Sequence, residues 1–130
     1  MKLELKELIA KIINTPLVIE KGSSTLGNMH WAYRKWSDGT AECWGYGPTI
    51  LANCTTGYGY SYYASAQTNQ NFPSGLFKEV PRIIVTPISA DGVYMGVSAL
   101  TKDSFAYYPY CNKNGSHYVR WDCHAIGRWK

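Results

Sequence analysis

The stretch WAYRKWSDGTAECWGY, from Trp31 to Tyr46, constrains the fold more than any other part of the chain. Asp38-Gly39 suits the two central positions of a type I′ turn, where both residues need positive φ, and β-forming aromatics flank it on either side. A hairpin closed by that turn pairs Ser37 with Thr40, Trp36 with Ala41, Lys35 with Glu42, Arg34 with Cys43, Tyr33 with Trp44 and Trp31 with Tyr46. One face then carries the rungs Tyr33/Trp44 and Trp31/Tyr46 and the charge pair Lys35/Glu42, cross-strand pairs worth roughly 0.2 to 1 kcal/mol each. The other carries Ala32, Arg34, Trp36, Ala41, Cys43 and Gly45. A lone hairpin leaves rings on both faces uncovered, so further strands must pack on it. Arg34 and Trp36 have no evident cover within one sandwich and are expected to meet a neighbouring subunit.

At 130 residues the chain is one domain by size and long enough to bury a core without staples. After Pro16 it is rich in Tyr, Trp, Gly, Ser, Thr and Asn and has almost no run with a 3.6-residue period, so helix is confined to the front. The net charge of +4 is scattered, without a block of Lys or Arg, which argues against nucleic acid as a partner. Charged Glu4, Lys6, Glu7 and Lys11 interrupt the first apolar residues, a pattern that neither a signal-peptide core nor a membrane span tolerates. Cys43, Cys54, Cys111 and Cys123 are even in number, but a domain of this size does not need bridges, and buried free thiols are the expectation. The sequons at Asn53-Cys54-Thr55 and Asn114-Gly115-Ser116 read as chance matches.

Along the chain, Leu5, Leu8, Ile12 and Thr15 follow a 3-4 heptad spacing, and Ile9 and Ile13 widen the stripe. A helix of about three turns is marginal alone in water and must dock on its own domain or on copies of itself. Leu17 to Glu20 is expected to be a short strand and Lys21 to Asn28 a polar loop, while Thr49 to Cys54 reads as a strand. TTGYGYSYYASAQTNQN has the Tyr, Ser, Gly and Asn composition of antibody binding loops. Its structural reading is a strand from Tyr60 to Ala66 that buries Tyr60, Tyr62 and Ala64. Phe72 to Gly75 is a turn. Val80 to Thr86, bracketed by Pro81 and Pro87, is expected to be a core strand with Ile83-Ile84-Val85 buried on both faces. A strand opens after Asp91-Gly92 with Val93, Met95, Val97 and Ala99 on one face, and Phe105 and Tyr107 oppose Tyr108 and Tyr110 in the next. NKNGS, Asn112 to Ser116, reads as a second hairpin tip, after which Val119, Trp121, Cys123 and Ala125 should face the core. About eight short strands joined by tight turns describe an all-β antiparallel sandwich preceded by a short helix.

Catalytic chemistry is poorly supplied. Glycan hydrolysis asks for paired carboxylates, one with a raised pKa. Glu42 has its charge partner, Asp38, Asp91 and Asp103 sit at turns, and Asp122 neighbours Arg120 on one face. Cys43, Cys111 and Cys123 lack a nucleophile motif although His117 and His124 lie nearby, and Cys111, His117, Cys123 and His124 lack the short paired spacings of zinc sites. No metal and no cofactor is expected. Tyr and Trp faces stack on sugar rings while Asn, His and Arg bond hydroxyls, so a glycan-binding module fits the composition better than an enzyme. Composition alone nominates Tyr58, Tyr60, Tyr108, Tyr110, Asn112, Asn114, His117 and Arg120 as ligand-binding residues.

Four segments resemble a known family: YRKWSDGTAECWG at Tyr33 to Gly45, FPSGLF at Phe72 to Phe77, VPRIIVTP at Val80 to Pro87 and the ending VRWDCHAIGRWK. They are similar to the C-terminal receptor-binding tip domain of tail-fibre and other minor structural proteins of phages and prophages of Gram-positive hosts, and the latter half also resembles the H-type lectin fold. The resemblance runs from about Trp31 to Lys130, and its most specific parts are the hairpin and the closing W-x-x-x-A-I-G-x-W. It implies a β-sandwich of six to eight strands that trimerises, follows a helical stalk and recognises a bacterial surface saccharide without enzymatic activity, at the tail or surface fibre of a virion made in the host cytoplasm. On that reading residues 1–15 are the end of a coiled-coil stalk, 16–30 a linker with a short strand and 31–130 the tip. Leu5, Leu8, Ile12, Arg34 and Trp36 would form the trimer interface, and the rest of the fibre would be a partner. The alternatives are a structural knob that caps the fibre without a ligand, and a cell-wall glycan hydrolase.

Overall fold

The computed structural model describes residues 3–63 and 68–130; the side chains of Leu3, Tyr58 and Tyr63 are also outside the description. The chain begins with α1 (Leu3–Ile13), and the strands that follow are β1 (Val18–Leu26), β2 (Met29–Trp36), β3 (Thr40–Tyr46), β4 (Ile50–Cys54), β5 (Thr56–Tyr58), β6 (Ser61–Tyr63), β7 (Thr68–Asn71), β8 (Arg82–Ile88), β9 (Val93–Ser98), β10 (Ser104–Cys111) and β11 (Gly115–Arg128). All pairings are antiparallel. The larger sheet runs β1-β2-β3-β11, with β8 on the other edge of β11 and β4 along the start of β11. The smaller sheet is centred on β10, flanked by β9 on one side and by β6 and β7 on the other, with β5 outside β6. The two sheets form the expected all-β sandwich.

The core lies between them. Phe105 of β10 meets Trp121 of β11 edge to face at 5.8 Å, Tyr107 meets the same ring at 4.8 Å, and Phe72, Leu76 and Phe77 fill the space beside them. Val119, Trp121, Cys123 and Ala125 all face inward as their alternation requires. A second cluster of Ala52, Cys54, Val93, Cys111 and Val119 fills the β4 end. All four cysteines are free and buried. Burial in this apolar interior pushes the Cys54 and Cys123 thiols up to about 12 and Cys43 higher still.

The hairpin forms, but one residue out of the expected register. Trp31 pairs with Gly45, Tyr33 with Cys43, Arg34 with Glu42 and Lys35 with Ala41. Only Gly39 in the loop has positive φ (93°), and its N–H donates to the Trp36 carbonyl at 3.0 Å, so the connection is a three-residue loop with a left-handed glycine and not a type I′ turn. A one-residue slip sends every β3 side chain to the opposite face. Ala41, Cys43 and Gly45 therefore lie inside against Trp31 and Tyr33, and Glu42, Trp44 and Tyr46 lie outside with Arg34. Lys35 loses its expected partner Glu42; it sits 3.4 Å from Glu20 and over the Trp129 ring. The C-terminus clasps the loop, since Trp129 donates its backbone N–H to Gly39 and its indole N–H to Trp36.

Other expectations also change. Lys21 to Leu26 is not a loop but the greater part of β1, an edge strand whose polar residues blunt it against further pairing. Ile83 and Val85 are half-buried but Ile84 and Ile88 are exposed, so β8 is covered on one face and not two. Tyr60 is fully exposed in the β5–β6 turn instead of buried, and Ala64 lies outside the described residues. Asn112 to Asn114 is not a hairpin tip, because β10 and β11 belong to different sheets and this segment carries the chain across. The helix ends at Ile13, and Asn14 takes the left-handed conformation (φ 54°) common just past a helix C-terminus, ahead of Pro16. It touches the body through Ala10 and a Glu7–Lys130 ion pair at 3.0 Å, leaving Leu5, Leu8 and Ile12 exposed.

Candidate functional site

The outer face of the smaller sheet carries the tyrosines. Alternation in β10 sends Phe105 and Tyr107 inward and leaves Tyr108 and Tyr110 on the outside, with ring centroids 6.2 Å apart. On β9, Tyr94 is paired with Tyr110 and stacks on it at 5.5 Å with the planes 26° apart. Gly96 is paired with Tyr108, whose ring lies so close over it that any β-carbon there would collide. A glycine at this position lets the Tyr108 ring lie down on the sheet. Further along the same face, Asn69 and Asn71 of β7 are paired with Ala106 and Ser104, and both amides are exposed. The surface is thus an aromatic platform continued by amide side chains, the pairing that stacks a sugar ring and bonds its hydroxyls.

Of the residues nominated from composition, Tyr108 and Tyr110 come together on this face. Asn112 and Asn114 are exposed on the segment that leaves β10, and Tyr60 projects from the β5–β6 turn. His117 is nearly buried, with its ring 3.1 Å from the Lys113 carbonyl and 3.6 Å from Asp91. Arg120 lies on the outer face of the other sheet, 3.7 Å from Asp122, and cannot share a site with the tyrosines. The Tyr58 side chain is outside the described residues. Composition missed Tyr94, Asn69 and Asn71; the signal available was the outward phase of β9 and the TNQN run.

The larger sheet presents a different outer face. Its registers align Lys21, Arg34, Glu42, Ile126 and Arg82 in one row, Ser23, Ala32, Trp44, His124 and Ile84 in the next, and Thr25, His30, Tyr46, Asp122 and Thr86 in a third. The Arg34 guanidinium lies 5.2 Å from the Trp36 ring and 5.0 Å from the Trp44 ring and is bonded to Glu42. The other Glu42 oxygen is 3.2 Å from His124. Partial burial works against the Glu42 charge, but the bonds to Arg34 and His124 outweigh it and hold the carboxyl below its usual range. Open grooves of about 600 Å³ and about 560 Å³ flank the Trp44 and Tyr46 rings.

The Glu42 carboxylate is engaged by Arg34 and His124, and Asp38 accepts the Thr40 N–H at 2.9 Å to close its turn. Among the described residues no three His, Cys, Asp or Glu side chains gather as a metal site, and no helix is long and apolar enough to cross a membrane.

The fold is a helix-led antiparallel β-sandwich of two sheets. No protein-family model matches the chain, and no curated protein does. Among solved structures it is similar to an N-truncated R1-type pyocin tail fibre, with a TM-score of 0.61 at 10% identity over 92% of this chain and 93% of that one. It is also similar to a longer C-terminal part of the P. aeruginosa R1 pyocin fibre, with a TM-score of 0.60 at 11% identity over 91% of this chain and 30% of that one. The likeness is one of fold.

Proposed function

We propose that the chain is the tip of a phage- or prophage-type tail fibre, a non-enzymatic homotrimer that recognises a bacterial cell-surface glycan. The observation that carries the proposal is the Tyr94–Tyr110–Tyr108 platform, with Asn69 and Asn71 beside it, on the outside of a sandwich whose fold is that of tail fibres. Tyrosines supply large, rigid contact area at low entropic cost, and the amides add hydroxyl recognition. In this reading the exposed Leu5, Leu8 and Ile12 of three copies pack as the last turns of a coiled coil, a stripe that one chain leaves uncovered. The rest of the fibre is the other partner, and the place of action is the virion tail.

A glycan array and calorimetry with host wall polysaccharide test the proposal. The wild type is expected to bind, and the Tyr108→Ala/Tyr110→Ala double variant to lose at least tenfold in affinity with its fold intact. Absence of binding to any wall polysaccharide would favour a structural cap, and release of reducing sugar from walls would point to a hydrolase.

A further inference from the structure

We propose that the tyrosine face of the smaller sheet takes an uncharged saccharide, and that wall polymers bearing phosphate or carboxylate groups are not its ligands. The inference rests on the glycan reading of this face and narrows it to one chemical class.

Charge is partitioned between the two sheets. β5, β6, β7, β9 and β10 contain not one Asp, Glu, Lys, Arg or His, and between Glu42 and Lys78 the sequence carries none at all. The 13 Lys and Arg and the 9 Asp and Glu of the chain all lie elsewhere. Charged side chains ordinarily keep an exposed sheet soluble and its edges unpaired. On this sheet hydroxyls and amides take that role, since the outward positions beside the three tyrosines include Ser104, Asn69 and Asn71. The largest aliphatic group at an outward position of β7, β9 or β10 is the methyl of Ala106.

A neutral sugar offers ring C–H groups on one side and hydroxyls at its edge. Tyrosine rings and amides match both without forcing an ion out of water. A phosphate or carboxylate asks for Arg or Lys, or for free backbone N–H groups. The ladders to β9 on one side and to β6 and β7 on the other engage the β10 backbone. Charges at the ends of the sheet are paired with each other: Lys102 lies 3.9 Å from Asp103 between β9 and β10, and Asp91 lies 3.6 Å from His117 ahead of β9. Arg34 and Arg120 stand on the larger sheet against Glu42 and Asp122. Lys113, past the end of β10, is the cation nearest to Tyr110 along the chain.

The test is calorimetry on the full chain with host wall polysaccharide separated by anion exchange into an uncharged and an anionic fraction. Asn69→Lys, Asn69→Asp and Lys113→Gln are compared with the wild type; both positions are exposed, so circular dichroism should not change. The uncharged fraction is expected to bind, with a dissociation constant that moves less than about twofold between about 0.05 and 0.5 M salt, a range that screens charged contacts. Both Asn69 variants should weaken it by about threefold or more, because either charge must be desolvated against a neutral ligand. Lys113→Gln should leave it within twofold. Tighter binding in Asn69→Lys with weaker binding in Asn69→Asp, or a steep loss with salt, would overturn the proposal. Binding of the anionic fraction alone, lost in Tyr108→Ala/Tyr110→Ala, would overturn the neutral class and leave the glycan site standing. Binding of neither fraction, or binding that the tyrosine double variant retains, would remove the site and the inference with it.

Discussion

The two outer faces of the sandwich are built from the same alternation rule and end with opposite chemistry. On the smaller sheet the outward positions are Tyr94, Tyr108, Tyr110, Asn69 and Asn71, side chains that tolerate water and still offer flat contact area. On the larger sheet they are Ile84, Ile88, Ile126, Trp44 and an internally paired set of charges, a surface whose isoleucines have nothing to gain from water. An exposed tyrosine platform suits a ligand that comes and goes. On the proposed function, recognition belongs to the tyrosine face.

Three predictions probe that division. The largest effect belongs to the core that both faces share. Phe105→Ala removes a fully buried ring from its contacts with Phe72, Tyr107 and Trp121 and should cost about 3–5 kcal/mol, read as a fall in the urea midpoint. The four buried thiols, inert to Ellman's reagent in the wild type, should become reactive at correspondingly lower urea. Glycan binding falls with the fold in this variant, which sets the reference for variants of one face.

Gly96→Val acts on the tyrosine face, because its side chain would displace the Tyr108 ring. It should lower glycan affinity by about tenfold, roughly 1.4 kcal/mol, at unchanged mass. The smallest effect is that of Glu42→Gln, about 1 kcal/mol at neutral pH. The folded Glu42 carboxyl is held below its ordinary value of 4.5, so its stabilisation is present above that value and disappears as the pH falls through the lower, folded one. The gap in urea midpoint between wild type and Glu42→Gln should therefore be open at pH 7 and close on acidification.

Much of this architecture is legible in the sequence, and the misreadings have physical causes. The alternation of Val119, Trp121, Cys123 and Ala125 against Tyr118, Arg120, Asp122 and His124 identifies the central strand and its core face. The hairpin is equally plain, but Asp38-Gly39 fits both a two-residue and a three-residue loop, and the choice decides which way β3 faces. The deciding signal lies in the flanks: the small Ala41, Cys43 and Gly45 interleave with Glu42, Trp44 and Tyr46, and only small residues fit opposite the inward rings of Trp31 and Tyr33.

β1 escapes a hydrophobicity reading because an edge strand needs few apolar residues. The run Ile83-Ile84-Val85 suggests cover on both faces, which a single chain does not provide. The platform was half visible. Tyr108 and Tyr110 share a strand, whereas Tyr94 joins them only through the β9–β10 register, and the separation of Arg120 from them follows from which sheet β11 enters.

The most direct test of the division is calorimetry of host wall polysaccharide binding on two variants, one from each face. The account predicts that Tyr108→Ala/Tyr110→Ala loses the binding and that Ile84→Asp keeps it. Loss of binding in a well-folded Ile84→Asp, or its survival in the tyrosine double variant, would contradict it.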